Sequence, residues 1–324
     1  MRFFALVLLS LLVPHGSPFP SQSTFLQCAA SNEVSISTPP TFTLGTGFTQ
    51  FLLSQTLAKA GRPSILMTSM AKKNGVRENW LPPSDSVLGK RITVVTNGEG
   101  EWEKESIDCG SFVLCNESAD IPGKTLRALL DQMPSVKRIV IVSPSGTVDE
   151  ESKIKNREDN WLFNRMMIMG GKRVGAFSDN YEHARDCERA AIDVVGKENV
   201  VVIHRGKLVG GGDVVNDSGL GEQFYKTCGS EPEVVLEKCY DVGRLGARLE
   251  AGDVIRSYCG DKEDRTVELE IQDKTHRSNL VSAIIAGITL PEGTSANGDV
   301  RRFSLSCEMG ETISPLSEFV DIMS

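Results

Sequence analysis

The chain has 324 residues, 40% of them hydrophobic and 24% charged, with 35 Lys and Arg against 43 Asp and Glu for a formal charge of −8. This globular composition excludes a disordered or fibrous chain, and the acidic balance excludes a general nucleic-acid binder, which needs a basic surface to neutralise phosphates. The 8 cysteines are too sparse for a disulfide scaffold and form no CxxC pair or Cys/His cluster with zinc spacing, so no metal site is expected.

Residues 1–18 carry one charge, Arg2, then an apolar run over 3–13 broken only by Ser10, then Pro14, Gly16 and Pro18. The run is too short to span a bilayer and has the shape of a signal-peptide core; a short membrane anchor or a mistranslated start would look the same. Residues 19–40 are rich in Ser and Thr, with Glu33 as the sole charge. They fit a plastid transit peptide behind the signal peptide, or a flexible segment, and their lack of arginine keeps simple secretion open.

From residue 41 short apolar runs alternate with helical patterns, the signature of a parallel sheet with crossover helices. A strand is predicted over 41–44, a helix over 48–60 stopped by Gly61, and strands over 64–68, 92–95 and 112–114. A helix over 125–133 leads to the clearest strand, 136–142, and a helix over 181–195 to a buried strand at 200–203. Right-handed crossovers make this an α/β, doubly wound parallel sheet. After Arg205 the alternation weakens. Residues 206–221 hold six glycines and read as a loop, 234–250 as partly helical, 267–271 as an edge strand, 279–288 as an apolar helix and 302–306 as a last strand. No linker divides 41–324, which reads as one domain with a small carboxy-terminal substrate-side lobe.

Gly45, Thr46, Gly47, Phe48, Thr49 and Gln50 stand between the first strand and first helix, where a dinucleotide fold places its pyrophosphate loop. The first glycine permits the turn, the second lets backbone approach the phosphates, and the helix amino terminus supplies amide donors. Gln50 occupies the third glycine position. The second strand ends without the acid that would bind a ribose 2′-hydroxyl, and Lys72 and Lys73 follow. NADP is therefore expected over NAD, although two adjacent lysines also suit a solvated turn.

Further on, the segment Ile141-Val-Ser-Pro-Ser-Gly146, the helix at 181–189, the run Val202-Ile-His-Arg-Gly-Lys-Leu-Val-Gly-Gly211 and the run Thr275-His-Arg-Ser-Asn-Leu280 follow the glycine loop in order. Together they resemble the atypical, extended-like short-chain dehydrogenase/reductase family, in particular its NmrA-like NAD(P)-binding members of plastids. The resemblance covers roughly 41–324 and implies an NAD(P)-binding Rossmann fold. In active members a Ser after the fifth strand and a Tyr-x-x-x-Lys on the next helix do the chemistry, the Lys lowering the Tyr pKa so that it works at neutral pH. The resemblance places these roles at Ser143 or Ser145, at Tyr181, and at Arg185 in the Lys position, where a planar guanidinium changes the donor geometry.

Other residues read more plainly. Arg205, at a strand's carboxyl end, either reaches the cofactor or closes a structural ion pair. His183 reads as solvated, His276 and Arg277 as capping or surface residues, and Cys187 as core. Cys109 and Cys115 could pair only if the chain turned back between them. The expected function is NADPH-dependent reduction of a small carbonyl or quinone-like substrate in the plastid. The alternative is a non-catalytic NADPH-binding sensor or assembly scaffold with a membrane-complex partner there.

Overall fold

The computed structural model describes residues 38–68, 73–96, 102, 108–117, 121–144, 178–211, 246–254, 274–291, 299–308 and 316–324. Strand and helix alternate through β1 (Thr41–Thr46), α1 (Thr49–Lys59), β2 (Ser64–Thr68), α2 (Lys73–Trp80) and β3 (Ile92–Thr96). A second series runs β4 (Ser111–Asn116), α3 (Gly123–Leu130), β5 (Arg138–Pro144), α4 (Ser178–Val195) and β6 (Val200–Arg205). There follow β7 (Lys207–Val209), β8 (Gly246–Ala251), β9 (Lys274–His276), α5 (Arg277–Thr289), β10 (Arg301–Glu308) and α6 (Leu316–Met323).

The main sheet has the order β3-β2-β1-β4-β5-β6-β10-β8, parallel throughout except for β8 against β10. Its first six strands have the doubly wound dinucleotide-binding order, with the reversal between β1 and β4. A separate two-stranded sheet pairs β7 with β9.

Strands covered on both faces need unbroken apolar runs, and β5 supplies one: Ile139, Val140, Ile141 and Val142 are at most 2% exposed. The period of two sends Val140, Val142, Val201 and Ile203 to the face covered by α1 and α5. Ile139, Ile141, Val200 and Val202 go to the face covered by α3 and α4. Helix α5 is apolar nearly all round because the sheet covers one side of it and α1 and α6 the other. Gly287 lets it approach closely, since a Cβ there would lie 3.3 Å from both Val140 and Val201.

Three segments differ from the sequence reading. The described part of 234–250 is strand, β8, although Ala247, Arg248, Leu249 and Glu250 are all helix formers or neutral. Pairing with β10 and burial of Ala247 and Leu249 outweigh that propensity. The glycine-rich loop begins with β7, too short to leave a periodic signal, while 212–221 and the expected strand at 267–271 lie outside the described residues. Helix α6 follows β10 at the carboxy terminus. Cys109 and Cys115 are buried and form no disulfide with each other, and Cys187 is fully buried as a core residue, its Sγ donating to the Ile121 carbonyl at 3.0 Å.

Candidate functional site at the sheet switch point

Open α/β sheets bind ligands outside the carboxyl ends of their strands where the order reverses. Here that is the crevice between β1 and β4, spanned by residues 45–50. A Cβ on Gly45 would come 2.0 Å from the Cys115 carbonyl oxygen, so only glycine lets β1 pair with β4 at this point. Gly47 has φ +129, and a Cβ on it would lie 2.5 Å from Glu117 Oε2.

The amino terminus of α1 has no local cap and no acid in its first turn. Exposed amide donors there need an acceptor. It comes from Glu117, just past β4: the Thr49 amide donates to Glu117 Oε1 at 2.5 Å, and the Thr49 hydroxyl donates to the same oxygen. The other side of this carboxylate meets Arg277, whose Nε and Nη2 donate to Oε1 and Oε2, each at 3.4 Å. Arg277 Nη1 donates to the Gly210 carbonyl at 2.7 Å, and Arg205 Nη2 donates to the Glu117 carbonyl at 3.3 Å. The Glu117 and Arg277 side chains are 9% and 10% exposed.

Burial pushes the Glu117 carboxyl up, but the Arg277 charge and the hydrogen bonds from Thr49 and Arg277 outweigh it, and the net lies below the ordinary carboxylate range. The site thus holds an anion on a helix amino terminus between a glycine turn and a guanidinium. Burial, reinforced by the Glu117 charge, pushes the neighbouring Cys115 thiol up, which leaves it inert as a nucleophile.

A second buried polar cluster lies on the α4 face. Ser143 and His204 are register partners on β5 and β6, and His204 pairs with Ser304 on β10. Ser143 Oγ donates to Glu188 Oε1 at 3.3 Å, and Arg302 Nη2 donates to Glu188 Oε2 at 3.1 Å. His204 is fully buried, with Nδ1 donating to the Pro144 carbonyl at 3.4 Å and lying 3.7 Å from Asp253 Oδ2. Burial lowers its pKa despite the opposing Asp253 and Glu188 charges, so the ring is neutral at pH 7.

Several expected site residues come together and others do not. Gly45, Gly47 and Thr49 form the loop, and Arg205 reaches it through the Glu117 carbonyl. Phe48 instead packs edge-on against Trp80, 4.9 Å between ring centroids, and Gln50 is a buried residue of α1 whose Oε1 has no hydrogen-bond partner among the described residues. Ser143 is engaged by Glu188, two turns or about 10 Å along α4 from Tyr181. Arg185 is half-buried on α4 and His183 likewise. Ser145 and Lys72 lie outside the described residues, as do the side chains of Thr46, Lys73 and Tyr181. His276 caps α5 as expected, accepting from the Ser278 amide. Arg277 is not a surface residue: its helix start is packed under the loop, leaving it 8% exposed.

Glu117 and Arg277 were not legible as site residues. The available signals were an acid immediately after the strand beside the glycine turn, and a charge opening a largely apolar helix. A cleft of about 410 Å³ lined by Arg62, Lys137 and Arg138 lies at the amino ends of β1, β4 and β5, the opposite edge from the switch point.

No family model matches the chain, and no curated protein is similar to it. Solved structures similar to it include the anaerobillin reductase ChuY from Escherichia coli, with 9% identity over 82% of this chain and 96% of that one at a TM-score of 0.44. Vestitone reductase from alfalfa matches with 13% identity over 86% of this chain and 78% of that one, also at 0.44. The terminal R domain of the myxalamid biosynthetic pathway matches with 13% identity over 90% and 74%, at 0.45. Likenesses this distant decide neither activity nor substrate.

Proposed function

We propose that the chain is a dinucleotide-binding protein of the short-chain dehydrogenase/reductase type, reducing a small carbonyl or quinone-like substrate with NADPH. The observation that supports this is the anion held at the switch point: the Thr49 amide and Arg277 donate to the Glu117 carboxylate beside the Gly47 turn, and a cofactor diphosphate would offer the same acceptor-only oxygens. Residues 45–49 and Arg277 would hold the phosphates, and Lys72 and Lys73, following a β2 end without an acid, would favour a 2′-phosphate. A bound nicotinamide supplies the hydride. Tyr181 is the proposed proton donor to the substrate oxygen, with Arg185 keeping a positive charge one turn on. Ser145 is favoured over Ser143 for orienting the substrate, because Ser143 is committed to Glu188. The NmrA-like resemblance of residues 41–324 and a plastid location reached through the secretory route, read from residues 1–40, remain part of this proposal.

One observation favours the second reading, a non-catalytic nucleotide sensor or assembly scaffold: the phosphate donors are already taken by Glu117. Titration with NADPH and NADH, followed by turnover of the wild type and Tyr181→Phe on a carbonyl panel, separates the two. The reductase reading expects tighter NADPH than NADH binding and turnover lost in Tyr181→Phe. Binding with no turnover in either protein leaves the sensor, and tighter NADH binding overturns the NADP assignment.

A further inference from the structure

We propose that Arg277 is a phosphate-binding residue of the cofactor site and that Glu117 is its internal competitor, holding the Thr49 amide and the Arg277 guanidinium in the free chain and yielding both to the diphosphate. This rests on the dinucleotide reading above, which already gives Arg277 the phosphates, and adds to it the residue that must leave.

The donors are also held by bonds that do not involve Glu117. The Thr49 amide is fixed at the start of α1, where the Phe51 and Leu52 amides donate to the Phe48 carbonyl at 3.0 and 3.1 Å. Arg277 is fixed by its 2.7 Å bond to the Gly210 carbonyl, which aims the rest of the guanidinium at the loop whether or not Glu117 is there. The occupant is a side chain with three rotatable bonds. Its paired contacts to Arg277, both 3.4 Å, are long beside the roughly 2.7–2.9 Å of a tight charge-assisted bond, so the bonds it must give up at close range are those from the Thr49 amide, at 2.5 Å, and hydroxyl. Arg205 holds the backbone carbonyl of residue 117, so the side chain can turn away without moving the strand end. Carboxylate and phosphate present the same acceptor-only oxygens to an arginine fork, so the exchange replaces one anion with another. The missing Cβ at Gly47 leaves the anion's place open against backbone, where any other residue would meet Glu117.

The consequence is a reduced apparent affinity. If the carboxylate vacates the site about a tenth of the time or less, the wild type binds about tenfold or more weakly than the receptor allows. The test is calorimetric titration of the full chain with NADPH and, separately, inorganic pyrophosphate, comparing wild type, Glu117→Gln, Glu117→Asp and the double variant Glu117→Gln/Arg277→Met. Glu117→Gln is expected to bind both probes at least about tenfold more tightly than wild type, and the double variant to lose that gain. Glu117→Asp, which keeps the charge but withdraws it from Thr49, is expected to fall between wild type and Glu117→Gln, and carries the test if Glu117→Gln does not fold. Wild-type binding that neither substitution strengthens overturns the competitor, leaving the dinucleotide reading in place. Folded variants and wild type that all fail to bind either probe overturn both.

Discussion

Arg277→Met removes the cation facing Glu117 while keeping an apolar stem of similar length. At 3.4 Å and an effective dielectric near 20, the lost attraction is about 5 kcal/mol, within the usual cost of breaking a buried pair. Protonation limits that loss. Neutralising a carboxyl of ordinary pKa ~4.3 at pH 7 costs about 3.7 kcal/mol, so the variant is expected to take a proton on Glu117 rather than keep an uncompensated buried charge. The expected loss of stability is therefore about 4 kcal/mol at pH 7 and only about 1 kcal/mol at pH 5, where protonation is nearly free. Urea unfolding followed by tryptophan fluorescence at the two pH values reads this directly. The double variant Glu117→Gln/Arg277→Met, with no charge left to bury, should recover most of the loss at pH 7. A loss under about 1 kcal/mol at pH 7, or the same loss at both pH values, would refute the claim that this carboxylate is buried and held by Arg277.

Two glycines should respond to alanine with opposite signs. Gly45→Ala drives a Cβ to 2.0 Å from the Cys115 carbonyl, backbone against backbone, and should cost about 3 kcal/mol or prevent folding. Gly75→Ala, whose nearest neighbour would be the Asn79 side chain at 3.8 Å on α2, should stabilise by about 0.5–1 kcal/mol; melting temperatures that move together contradict the packing described. His204 has a folded pKa below its ordinary value, so the unfolded chain takes the proton first and stability should fall as pH drops below about 6.5. His204→Gln should flatten that slope, and urea midpoints identical at pH 7 and 5.5 would contradict it. Glu117, with its folded pKa depressed, contributes stability that is present above pH ~4.3 and lost as pH falls through its folded value.

The sheet was legible because its central strands carry their signal locally. The strands read at 136–142 and 200–203 share runs, 139–142 and 200–203, that are apolar on both faces, and the turn at 45–47 announces itself by two glycines between a strand and a helix. The strand β8 was not, because Ala247, Leu249 and Glu250 suit a helix until β10 is there to pair with. The site divides in the same way. Gly45, Gly47 and Thr49 lie within five residues of one another, so a local pattern was enough to single them out as candidates. Glu117 and Arg277 are 160 residues apart and meet only through the strand order and the packing of α5 beneath α1, which no local pattern encodes. Ser143 shows the converse limit: its place near the end of the fifth strand was read correctly, but its commitment to Glu188 depends on the register of α4 over β5.

The central claim is that the Thr49 amide is the phosphate donor. It is tested most directly by following that amide, in protein labelled with 15N-threonine and assigned through Thr49→Ser, while NADPH is added. The account predicts that the Thr49 resonance shifts and saturates with the binding isotherm, and does so at lower NADPH in Glu117→Gln. Saturable NADPH binding that leaves the Thr49 amide unmoved would contradict it.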